Sequence, residues 1–152
     1  MKRHLRYFSY VIRHKWFVFR AGIELNVPLW LLLIHDWTKF TPGEWLPYAR
    51  TFRKPNGEGQ YAPHAAFWQA WNSHEKRHKH HWQYWVLIKD SGELMPLPMP
   101  DCYRREMLAD WIGAGRALGS PDTAGWYEKN KDKMLLFPDT RQWVEQQLRR
   151  EN

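Results

Sequence analysis

The stretch Val27-Pro-Leu-Trp-Leu-Leu-Leu-Ile-His-Asp-Trp-Thr-Lys-Phe-Thr-Pro-Gly-Glu44 decides how the rest of the chain is read. Asn26, Val27 and Pro28 break whatever precedes them, and the fixed φ of Pro28 suits the first turn of a new helix. That helix is expected from Leu29 to about Lys39. Its residues are apolar on nearly every face until His35, the pattern of a central element. Asp36 then places a carboxylate at the end of a buried helix. An unpaired buried charge is costly, so Asp36 needs either a salt bridge or a metal ion. Thr41-Pro-Gly-Glu44 has the form of a capping box, with a hydroxyl at the cap and a carboxylate three residues on. It predicts a third helix to about Phe52.

Working outward, Tyr7, Val11, His14, Val18 and Ala21 recur at helical spacing and predict a first helix from about Lys2 to Glu24. His14 falls inside its apolar stripe. Lys54 to Tyr61 reads as an exposed loop. A fourth helix is expected from near Pro63, carrying Phe67, Ala70, Trp71 and His74, and breaking within the His- and Lys-rich run that ends at His81. Trp82 to Ile88 fits helix or strand, and Asp90 to Pro100, with its prolines, reads as a loop. Asp101 is expected to cap a helix to about Leu118 that Gly119 stops. Ser120-Pro121 should open another, and Asp139 should cap a last one carrying Trp143, Val144 and Leu148. The fold class is all-α, with at most a small β-hairpin near residues 85–98.

At 152 residues the chain reads as one domain, residues 1–152, with enough length for a single core. Eleven Trp and 16% aromatic content exclude a disordered or coiled-coil chain, although the mean hydropathy is −0.74. Trp37, Trp45, Trp82, Trp85, Trp111 and Trp143 are expected in the core. The single cysteine, Cys102, excludes an intrachain disulfide framework or a thiolate zinc site. The basic N-terminal segment does not resemble a signal peptide, and Val27 to Ile34 is far shorter than a membrane span. A cytoplasmic location and no membrane partner are the expectation. The net charge of +7 attracts anions, but its basic residues are spread along the chain, as on solvated helix faces.

Asp110 shares an apolar helical stripe with Tyr103, Met107, Ala114 and Ala117, as His74 does with Phe67, Ala70 and Trp71. Four helices thus each turn an imidazole or carboxylate inward. Every buried polar group needs a partner, and one shared divalent ion serves them all. Imidazole and carboxylate donors suit Mn, Fe, Co, Ni or Zn. His4 and His64 read as surface residues. A bland alternative makes the run from His74 to His81 a solvated, phosphate-binding strip.

The order His14, His35-Asp36, His74, one of His80 or His81, then Asp110 resembles the ligand order of the HD superfamily of metal-dependent phosphohydrolases. His35-Asp-Trp-Thr-Lys39 is similar to the HDxxK form of its cyclic-dinucleotide-cleaving branch, but the Gly-Tyr-Pro of that branch is missing. The strings HDWTKFTPGEWLPYA, HxxxHxHHWQYW and REMLADW resemble a small family of unknown function found in phages and bacteria. The second string there usually has Asn where this chain has His78. The superfamily resemblance implies an HD-like helical bundle in which His14, His35, Asp36 and Asp110 hold one ion. His74 with His80 or His81 would add a second, with Asp36 bridging. It implies catalytic roles for Asp36 and for Lys39, which would neutralise phosphoryl charge. Glu106, one turn before Asp110, would orient a ligand histidine or act on the leaving group. The implied function is hydrolysis of a phosphorylated small molecule, with a nucleotide as the expected substrate. Three other functions fit the same residues: an HD-type di-iron oxygenase, a nucleic-acid-binding module, and a scaffold that binds a nucleotide without cleaving it. The oligomeric state is left open.

Overall fold

The computed structural model describes residues 2–51 and 63–150. The loop expected over 54–61 and the helix end expected at Phe52 lie outside the described residues. Seven α-helices and one small hairpin are present among those described: α1 Lys2–Glu24, α2 Leu29–Ile34, α3 Pro42–Thr51, α4 Ala65–Arg77, β1 Val86–Ile88, β2 Leu94–Pro96, α5 Asp101–Leu118, α6 Thr123–Asn130 and α7 Pro138–Arg150. Short 3-10 turns at Trp37–Phe40, Trp82–Trp85 and Lys131–Lys133 join them. The strands pair antiparallel, with Leu87 opposite Met95.

Helices α1 and α5 form the main packed pair. The inward stripe of α1 is fully buried, and its two ends enter different cores. Tyr7 and Val11 pack with Tyr48, Ala49, Phe67 and Ala70, while Val18 and Ala21 pack with Leu31, Met107, Leu108, Ile112 and Val144. Each such aliphatic side chain contributes about 1.5–3 kcal/mol against the cost of ordering the chain. His14 lies on the same stripe between the two cores, so α1 carries a polar group to the seam where they meet.

The backbones of α1 and α5 approach closely at Gly113. A methyl group there would lie 2.7 Å from the Val18 backbone nitrogen. Gly113→Ala should therefore force the helices apart and cost about 1–3 kcal/mol, as overpacking does. For a chain of this size that is a fall of roughly 5 °C in thermal midpoint. A melting curve superposed on the wild type would show that the crossing has slack.

Four expectations need correction. First, the second helix ends at Ile34, not near Lys39, and it is not central. Only Leu31 and Leu32 are buried, while Leu33 is 65% exposed. A helix of under two turns can press only one edge against α1. Second, Trp37 is 56% exposed, and Trp45, Trp82, Trp85, Trp111 and Trp143 are only partly buried. The large buried rings are Tyr7, Tyr48, Tyr127 and Phe67. Indole is bulky and tends to close a core at its rim. Third, the capping box does not form. The Thr41 hydroxyl donates back to the Thr38 carbonyl at 2.7 Å, and Glu44 turns inward. Fourth, the two expected aspartate caps lie inside their helices: Asp101 is the first residue of α5, where its carboxylate accepts from Arg104 and Arg105, and Asp139 is the second residue of α7. Helix α6 is capped by Asp122, whose Oδ1 accepts from the Gly125 amide at 2.7 Å. Gly119 stops α5 as expected, in the left-handed region with φ +80°. No helix is long and apolar enough to cross a membrane among the described residues.

Candidate metal centre

Adjacent residues on a helix face about 100° apart, so a continuous helix would not aim His35 and Asp36 at one point. The chain solves this by ending α2. His35 takes an extended ψ of 124°, and Asp36 takes left-handed φ 55°, ψ 25°. That region is costly for most residues and tolerated best by Asp and Asn. Lys15 donates to the His35 carbonyl, which helps to pin the break.

Four side chains from three segments surround one point: His14 of α1, His35 and Asp36 of the turn after α2, and Asp110 of α5. The nitrogens His14 Nε2 and His35 Nε2 lie 3.3 and 3.4 Å from Asp36 Oδ2, and 3.2 and 3.3 Å from Asp110 Oδ1. A second group joins Asp36 to His74, His80 and His81. Here the other carboxylate oxygen is used: Asp36 Oδ1 lies 3.2 Å from His74 Nε2 and 3.3 Å from His80 Nε2. In both groups all donor atoms lie within 4.8 Å of one another. Asp36 thus presents one oxygen to each group.

The residues fit a metal on three grounds. Ligands bound at about 2.1 Å in a tetrahedron stand about 3.4 Å apart, which matches these spacings. Among the described residues, His81 Nε2 is buried with no hydrogen-bond partner, and the buried His35 Nε2, His74 Nε2, His80 Nε2 and Asp36 Oδ1 meet their oppositely charged neighbours only at 3.2–3.4 Å, without good hydrogen-bond geometry. Leaving so many buried polar atoms unsatisfied is expensive unless a ligand takes them up. Finally, the opposite nitrogens of three of these histidines are tied to carboxylates. His35 Nδ1 and His80 Nδ1 lie 3.0 and 3.2 Å from the same Glu106 Oε1, and His74 Nδ1 lies 2.8 Å from Glu44 Oε2. An imidazole that donates from one nitrogen to a carboxylate has its other lone pair fixed for an ion.

The charges point the same way. Burial pushes the Asp36 and Asp110 carboxyls up, but neighbouring imidazoles, and for Asp36 also Lys39, hold both well below the usual range. Burial opposes the charged form of His80, yet Asp36 and Glu106 push it up to about 10. His81 is lowered by burial and then by His80 and His74. Lys39 pairs with Asp36 Oδ2 and is held above the usual lysine range, because Asp36 and Asp110 outweigh its burial. Positive charge is thus favoured beside the carboxylates, and a divalent ion would compete for the same oxygens.

Every residue expected at the site is gathered there. His80 and His81 both reach it, not one alone, because α4 ends at Arg77 and the helical 100° offset does not apply. Glu44, Thr38 and His78 were missed. Glu44 supports His74 and pairs with Arg77 at 3.3 Å, and the Thr38 hydroxyl lies 2.6 Å from His78 Nε2. Burial favours the neutral form of His78 and lowers it to about 4. A carboxylate partner for a buried histidine was the one available signal. His4 and His64 are not plain surface groups: His4 accepts from Trp45 Nε1 at 3.0 Å, and His64 caps α4.

His14, Lys39, His81 and Asp110 also line a cavity of about 720 Å³, with Tyr7, Tyr10, Tyr48, Trp71, Trp111 and Trp126 in its walls. That size suits a small-molecule ligand. Fold and site together define an all-α protein whose buried His, Asp and Glu groups are able to hold a metal ion. The chain belongs to a family of unknown function (DUF5662), whose model matches residues 3–150. No curated protein and no solved structure matches it.

Proposed function

We propose that the protein is an HD-type metal-dependent hydrolase of a phosphorylated small molecule, with a nucleotide as the favoured substrate class. One observation carries this reading: Asp36 offers its two oxygens to two separate histidine groups beside an aromatic-walled cavity. One or two divalent ions held there would lower the pKa of a coordinated water toward neutrality and withdraw charge from a phosphoryl oxygen. The chain's own residues would do the rest. Glu106 and Glu44 fix the ligand imidazoles in one tautomer. Lys39 faces the cavity beside Asp36, where it would offset phosphoryl charge. The aromatic walls offer faces for a base, with Lys129 as a further cation. Glu106 is buried and committed to two histidines, which favours orientation over leaving-group chemistry.

The test combines metal analysis of the purified protein with phosphate release from a panel of nucleotides. We expect one or two Mn, Fe, Co, Ni or Zn ions per chain, and release that stops on chelation and returns on adding metal back. Iron-dependent oxygen consumption without phosphate release would replace this reading with a di-iron oxygenase. Metal-independent, steeply salt-dependent binding of nucleic acid would replace it with a binding module. Nucleotide binding without turnover would leave a scaffold.

A further inference from the structure

Helix α1 is amphipathic twice over. Opposite its buried stripe runs a second one, Leu5, Phe8, Ile12, Trp16 and Ile23, with every member about half exposed. At Phe8 this stripe meets Phe40, Pro42, Trp45 and Leu46, which form an open groove of about 510 Å³. Helix burial alone does not require apolar residues on the outer face of α1, since its inner face already fills both cores.

We propose that this face is a two-fold interface between copies of the chain, with α1 packed antiparallel against α1 of a second copy about an axis beside Ile12. Two observations select that occupant. The six side chains Leu5, Phe8, Ile12, Trp16, Phe40 and Leu46 present on the order of 600 Å² at half exposure. This approaches the roughly 800 Å² that a specific interface covers on each partner. The shape is self-complementary. Phe8 lies one turn before Ile12 and Trp16 one turn after it, so the axis brings the Trp16 indole of each copy to the Phe8 groove of the other. That reciprocity is what an isologous contact requires. The exposed borders carry Arg13 and Arg20, while the only acidic residue of α1 is Glu24. Aliphatic side chains at the centre of the patch do not suit nucleic acid. The cavity beside the metal centre borders Tyr7, Tyr10 and His14 on the other side of α1, so the interface leaves it open.

Sedimentation equilibrium of the full chain tests this. We expect a dimer that tightens as salt is raised, because screening relieves the two Arg13 side chains that meet beside the axis. Ile12→Glu should weaken association by about 100-fold or more, since it buries two like charges at the centre. Its helical circular dichroism and metal content should match the wild type. On a Cys102→Ser background, Ile12→Cys should form a disulfide with its own copy under mild oxidation, and Arg20→Cys should not. A monomer at all accessible concentrations overturns the proposal, as does a dimer that Ile12→Glu leaves intact. Binding to vesicles containing anionic lipid, weakened by salt and without dimerisation, would assign the face to a membrane surface and overturn it equally. Failure to find any phosphohydrolase activity would leave these outcomes unchanged.

Discussion

Asp36→Ala is expected to yield protein with no retained metal and no phosphohydrolase activity. Among the described residues it is the one common to both ligand groups, so its loss should empty both positions at once. Losing Asp110 or His74 should instead affect one position first. The substitution also leaves Lys39 without its partner and places alanine at φ 55°, so it carries a folding cost of its own. Asp36→Asn separates the two effects. Asn tolerates the left-handed region and keeps the shape, but it removes the charge and one acceptor. A folded Asp36→Asn protein with sub-stoichiometric metal and no turnover is the expected result. Full metal occupancy in that variant would remove Asp36 from its bridging role.

Lys39→Ala should do the reverse. Its ammonium pairs with the same Asp36 oxygen that faces His14 and His35, so it competes with an ion for that atom. Removing it should leave metal content unchanged or raise it. Turnover should fall by about 10²–10³, the usual loss for one preorganised electrostatic contact. Metal analysis and kcat on the same sample distinguish the two variants. Loss of metal from Lys39→Ala would make the lysine a structural partner of Asp36 and not a group that serves the substrate.

Much of this site was legible in the sequence because helical periodicity is. His14, His74 and Asp110 each stand on an apolar stripe, and a polar residue in such a stripe has a short set of explanations. The His35–Asp36 pair was legible as a need for partners. How both could point inward was not, because nothing in a run of aliphatic residues announces that it stops at Ile34. The same limit applies to His80 and His81: whether both reach the centre depends on where α4 ends. Glu44 was hidden by a good local explanation. It satisfied the grammar of a capping box, and only the tertiary contact to His74 shows what it does. The exposed face of α2 was misread for a related reason. Periodicity reports that a face is apolar, and it does not say what covers it.

Glu106 deserves its place in the cluster for what its single oxygen does. Oε1 faces His35 from the first group and His80 from the second. One acceptor thus sets the tautomer of a ligand in each half. If the cluster takes two ions, filling one half would hold its imidazole and Glu106 with it, lowering the ordering cost of the other half. The shared Asp36 would link the two positions as well, so that the affinity of each would depend on the occupancy of the other.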